Sequence, residues 1–176
     1  MLTPYEFLPL ITPIEVNVTY VFHTKYGHKY GVTFIEATKI TELLDEYPVI
    51  SNAIYVTLDI LQPGGSLYFD CRIGITVVEI IKHYLANVDM RCLLVYNCAI
   101  DEGKQVKRND KFDRWFNHFA QDYKFEKIDR EILEPQEDKY IPTFISFLFS
   151  SIHPRKVQIL QELEMLSQLL GTDKLG

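Results

Sequence analysis

Apolar and polar residues alternate from Val18 to His23, with Val18, Tyr20 and Phe22 on one side of the chain. The alternation resumes at Tyr30, Val32 and Phe34, after Lys25-Tyr26-Gly27-His28. A period of two is that of a strand with one buried face, and Gly27 supplies a turn, so this stretch predicts a β-hairpin. Ile54, Val56, Leu58 and Ile60 alternate with Tyr55, Thr57 and Asp59, which predicts a strand over 53–61 that Pro63-Gly64-Gly65 ends. The period then lengthens. Val77, Ile80, Ile81, Tyr84, Leu85 and Val88 recur at helical spacing, and Thr76 with Glu79 matches a capping box at the helix start. The short apolar run Leu93–Tyr96 predicts a buried strand over 91–97. Phe112, Trp115, Phe116, Phe119 and Ala120 predict one face of a helix over about 110–121.

Strand character returns over 124–133 and, after the turn Glu134–Lys139, over 140–149. The last of these is aromatic on both faces and is expected inside the sheet. Pro154 opens a final helix with the stripe Val157, Ile159, Leu160, Leu163, Leu166 and Leu170. A short helix over 38–47 and a short extended piece at Leu67-Tyr68-Phe69 complete the pattern. Pro4, Pro9 and Pro13 predict that 1–16 is an extended arm lying on the domain, and 171–176 reads as a frayed tail. The order β-β-(α)-β-α-β-α-β-β-α over 1–176 predicts a single domain of the α/β or α+β class. One mixed sheet would carry helices on its faces. There is no internal repeat.

Charge narrows the function classes. With 18 Lys and Arg against 24 Asp and Glu the net charge is −6. A duplex-binding protein needs a basic surface to release counterions, so no nucleic-acid partner is expected. No uncharged apolar run reaches about 18 residues, and the start Met1–Glu6 lacks a basic-then-apolar signal, so no membrane span and a cytoplasmic location are expected. Cys71, Cys92 and Cys98 are an odd set without paired spacing and read as reduced thiols. The five histidines have no metal spacing, and no metal site is expected.

Candidate chemistry gathers around 98–114, where a strand empties into a loop dense in both signs of charge, the place where open α/β sheets bind ligands. Asp101, Glu102, Lys104, Lys107, Arg108, Asp110, Asp113 and Arg114 could form a solvated face with i,i+4 pairs. The functional reading is a pocket for an anion or polar ligand, with Arg72, Lys107 and Arg108 as donors. Asp59, Asp70, Asp101 and Asp113 are the carboxylates available for acid–base work. Cys98, at the strand end, has no histidine indicated beside it and reads as a buried thiol.

Two resemblances follow from these residues. The order of elements over 53–149 is similar to that of the acyl-CoA N-acyltransferase (GNAT) superfamily, in which a strand, a glycine-containing loop and helix, a splayed strand, a helix and a hairpin follow one another. The resemblance implies a pyrophosphate site in the run Cys71-Arg72-Ile73-Gly74-Ile75-Thr76. There Gly74 matches, while Cys71 and Thr76 stand where the superfamily has Arg or Gln and Gly or Ala. Phe116 stands where a tyrosine acid is frequent. The runs Asp70-Cys71-Arg72-Ile73, Cys98–Gln105 and Phe112-Asp113-Arg114-Trp115-Phe116 resemble a family of small bacterial (Bacteroidetes-type) proteins of unknown function. The expectation is a non-catalytic module using 98–114 to bind a small polar or anionic ligand or a protein partner, without a cofactor. Its ligand residues would be Arg72, Gly74, Thr76, Asp101, Lys107 and Arg108. The alternative is a divergent acyl-CoA-dependent N-acyltransferase.

Overall fold

The computed structural model describes residues 2–10, 17–36, 47–66, 70–87, 91–98, 104–120, 124–136 and 139–170. The strands are β1 (Phe7–Leu10), β2 (Val18–His23), β3 (Lys29–Glu36), β4 (Ile54–Gln62), β5 (Leu94–Cys98), β6 (Phe125–Gln136) and β7 (Lys139–Ser150). The helices are α1 (Cys71–Asn87), α2 (Gln105–Phe119) and α3 (Lys156–Leu170). The strands form one mixed sheet in the order β1-β2-β3-β4-β5-β7-β6, and the class is α+β. All six strands expected from the alternation form. Gly27, at φ 81°, makes the tight turn between β2 and β3. The predicted helix at 38–47 lies almost wholly outside the described residues, as do Leu67-Tyr68-Phe69 and the tail.

Four expectations are corrected. Part of the N-terminal arm is strand β1, because it finds the free edge of β2, with Phe7 opposite Phe22. Helix α1 starts at Cys71, not Thr76, because Asp70 caps it: its Oδ1 accepts from Arg72 N at 3.0 Å. Thr76 and Glu79 form no capping box. The Thr76 hydroxyl donates to Arg72 O at 2.7 Å, and Glu79 pairs with Lys82. Helix α2 starts at Gln105 rather than near 110, because its polar first turns lie towards solvent with only the Gln105 side chain buried. On α3 the buried stripe is Ile159, Leu163 and Leu166, while Val157 is 69% and Leu160 40% exposed. What rotates the helix is Glu162, which is buried and whose Oε2 accepts from Val49 N (2.9 Å) and Ile50 N (3.0 Å). That carboxylate caps the short 3-10 turn Ile50–Asn52.

The sheet has a core on each face. Helices α1 and α2 cover one, through Val77, Ile80, Ile81, Trp115 and Phe116. Helix α3 covers the other, against Val95, Phe147 and Phe149. Helices α1 and α2 meet where Trp115 lies on Gly74, and a methyl added at Gly74 would overlap the indole. No helix among the described residues is long and apolar enough to cross a membrane.

These contacts predict the cost of disturbing them. Trp115→Ala removes a buried aromatic at the α1–α2 crossing and is expected to cost ~3–5 kcal/mol. Gly74→Ala forces the helices apart and is expected to cost ~1–3 kcal/mol. Glu162→Ala orphans two buried N–H groups, for an expected loss of ~2–4 kcal/mol. Denaturant midpoints of the three variants check all of these, and an unchanged midpoint for Trp115→Ala would show that its ring adds nothing to the core.

Candidate functional site

The site forms where two half-sheets meet. Strand β4 is held along its length by β3, and β5 by β7, both antiparallel. Between them β4 and β5 run parallel and pair only as Ile54 with Leu94 and Tyr55 with Val95. Ile54 N donates to Leu93 O at 2.7 Å to close this junction. Beyond it β4 continues to Gln62 and β5 to Cys98 without pairing to each other. The Tyr55 hydroxyl donates to Asn97 Oδ1 across the parting.

A cavity of about 480 Å³ occupies the parting, within the range of small-molecule sites. Its walls include every residue from Tyr55 to Ile60 and from Tyr96 to Cys98. Neighbouring side chains of a strand point to opposite faces, so consecutive residues share one cavity only when the strand edge is its wall. The cavity is therefore bordered by backbone N–H and C=O groups that no neighbouring strand among the described residues satisfies. The rest of its lining is largely apolar, from Val77 and Ile81 of α1 and Phe112, Trp115 and Phe116 of α2.

Charge enters from two sides. Arg108 and Lys111, three residues apart on α2, share one face of that helix and line the cavity. The Lys111 ammonium stands 4.8 Å from the centre of the Trp115 ring. Partial burial, and then the charge of Arg114, lower its pKa from the usual lysine range. Asp59 lines the cavity from β4, with Oδ2 accepting the Thr57 hydroxyl at 2.9 Å. Tyr55 packs on the α3-side core, and Asp59 is in phase with it, so the carboxylate comes from the sheet face opposite to α2.

Tyr96 is buried beneath α2, its ring 5.1 Å from Phe112. Its hydroxyl lies beside Ser146 without a well-formed hydrogen bond. Ser146 donates instead to Asp129 Oδ1 at 2.6 Å, and Lys127 bridges Asp129 to Asp113. Burial raises the Tyr96 phenol far above its ordinary range, so it stays protonated and can act only as a neutral hydrogen-bonding group. Burial also pushes the Cys98 thiol up to about 11, against a weaker opposing pull from Arg108.

Of the residues the sequence singled out as ligand-binding, Arg108 lines the cavity. Lys107, beside it on α2, is exposed and outside the lining. Asp101 lies outside the described residues. Arg72, Gly74 and Thr76 cluster at the start of α1, away from the cavity lining, and each has another contact. Arg72 donates from Nε to Thr3 O (2.9 Å) and from Nη2 to Pro4 O (3.1 Å), with its guanidinium 3.8 Å from the centre of the Tyr5 ring. Thr76 Oγ1 accepts from Tyr5 N at 2.8 Å, and the Tyr5 hydroxyl donates to Asp70 Oδ2 at 2.6 Å. Gly74 receives Trp115. The other carboxylates are separated: Asp70 caps α1, and Asp113 pairs with Lys127.

Sequence reasoning missed Tyr55, Tyr96 and Lys111 as cavity residues. Lys111 carried a legible signal, its spacing from Arg108. Tyr55 and Tyr96 did not, because nothing local says where two strands part. Among the described residues no three His, Cys, Asp or Glu side chains gather as a metal-binding group. A family model described as a family of unknown function (DUF6169) matches residues 69–162, from the start of α1 into α3. No curated protein and no solved structure matches the chain.

The Cys98 environment predicts two measurements. At neutral pH a thiol reagent is expected to modify the half-buried Cys71 well before Cys98. A thiol ordinarily titrates near 9, so between 9 and about 11 folded Cys98 keeps a proton that the unfolded chain has lost. Stability is then expected to fall as pH rises above about 9. Denaturant midpoints across that range check the sign: Cys98→Ala is expected to show a shallower alkaline decline than the natural chain.

Proposed function

The chain belongs to that family of unknown function, and we propose that it is a ligand-binding protein whose cleft between β4 and β5 takes a small anionic molecule with an apolar body. The observation that carries this reading is the parting of the parallel strands into a cavity with apolar walls and two cations, Arg108 and Lys111, on one side. Apolar surface would stabilise the body of the ligand, and the cations with the open strand edges would fix its charged end. Among the described lining residues, burial keeps Cys98 a thiol and Tyr96 a phenol. In this reading the cations come from α2, whereas the sequence expectation drew on the loop before it. The reading takes the protein as bacterial and cytoplasmic, and its three free cysteines suit a reducing compartment.

A divergent acyl-CoA-dependent N-acyltransferase is the second reading. The strand order and the parting of β4 from β5 favour it, since the GNAT resemblance implies a splayed strand between two helices. The start of α1 tells against it. A pyrophosphate would need free N–H groups there. Instead the Asp70 carboxylate takes one N–H and adds a negative charge, while Arg72 is spent on the arm.

Trp115 is the single tryptophan and lines the cavity, so its fluorescence reports occupancy. Titration with 4-methylpentanoate is expected to give a saturable change that Arg108→Gln with Lys111→Gln weakens. Short carboxylates that leave the fluorescence untouched would sink the binding reading. Acetyl-CoA is expected to bind no tighter than about 1 mM, or ~4 kcal/mol, by calorimetric titration. Micromolar binding would promote the transferase reading.

A further inference from the structure

The anionic ligand proposed above leaves Asp59 without a role. That carboxylate lines the same cavity as Arg108 and Lys111 but reaches it from the other face of the sheet. A purely anionic guest would be repelled by it. A guest carrying both signs on neighbouring atoms would instead meet a carboxylate on one side and two cations on the other. We propose that the cleft binds a zwitterion, an α-amino acid with a large apolar side chain, a proposal that rests on the ligand-binding reading of the same cleft. The ammonium lies towards Asp59 and the carboxylate towards Arg108 and Lys111. The side chain enters the apolar interior between Val77, Phe112 and Trp115.

The position of the charges along the strands supports this arrangement over an extended chain. The closed end of the parting is Tyr55 beside Val95. Asp59 lies four residues beyond it along β4, about 13 Å at the usual rise per residue. Cys98, the last residue of β5 and part of the same lining as Arg108, lies about 10 Å from the closed end by the same rise. Asp59 thus stands towards the open end of a lining that also holds Arg108, Lys111 and several apolar side chains. An α-amino acid carries its two charges on one carbon and its apolar bulk on the other side of that carbon. The strand edges add to the match, because they present carbonyl oxygens to an ammonium and N–H groups to a carboxylate.

The test compares three probes on the intact natural chain by Trp115 fluorescence: L-leucine, N-acetyl-L-leucine and 4-methylpentanoate, which lacks only the ammonium. Leucine is expected to bind roughly three- to tenfold tighter than either of the others, the scale of a partly exposed charge-assisted contact. Asp59→Asn is expected to erase that preference by weakening leucine and strengthening 4-methylpentanoate. Because the preference is first read on the natural protein, it does not depend on a variant folding. If 4-methylpentanoate binds as tightly as leucine, the zwitterion proposal is overturned and the cleft reading stands. If none of the three binds, both fall. A preference that survives Asp59→Asn also overturns the assignment of Asp59.

Discussion

The two-pair junction between β4 and β5 is the constraint on which the rest of the structure turns. Parallel strands cannot be joined by a tight turn, so α1 must cross between them. Each is also claimed by an antiparallel neighbour along its length, β3 on one side and β7 on the other. Each half-sheet twists with its own partner, and the shared pairing ends after Tyr55 and Val95. Backbone groups that a continuous sheet would have paired are left facing a cavity. Such groups are costly to bury unsatisfied, so a polar guest or water at this place has a physical reason to be there.

The same logic explains why the beginning of α1 is a poor anion site even though a helix N-terminus is one by default. Its partial positive charge is met from within the chain, by Asp70, and the arm closes over it. Arg72 does not wait for a ligand; its guanidinium holds two carbonyls of the arm and covers the Tyr5 ring. Thr76 joins the clamp by accepting from Tyr5 N while its own proton goes back to Arg72 O. The residues that looked most like a phosphate cradle hold β1 and its approach in place. The arm in turn lets β2 bury Phe22 beneath Tyr5.

Glu162 shows the same principle on the other face. Among hydrophobic positions of α3 a carboxylate would ordinarily turn outward. It turns in to accept from two backbone N–H groups at the start of the 3-10 turn, and the helix rotates with it. Val157 and Leu160 are left outside as the consequence.

By itself the sequence determined six of the strands and the amphipathic faces of α1 and α2. These are properties of periodicity, which is local, and tertiary contacts had little cause to override them. Local pattern erred where a distant backbone group supplied the deciding partner: Asp70 and Tyr5 at the start of α1, β2 for the arm, the 3-10 turn for α3. The cavity was invisible for a stronger reason. Tyr55, Asp59 and Tyr96 are ordinary strand residues until two strands 40 positions apart pair briefly and separate, and that separation is set by β3 and β7. Which charges face one another across a gap is a fact of three dimensions, and only the folded chain decides it.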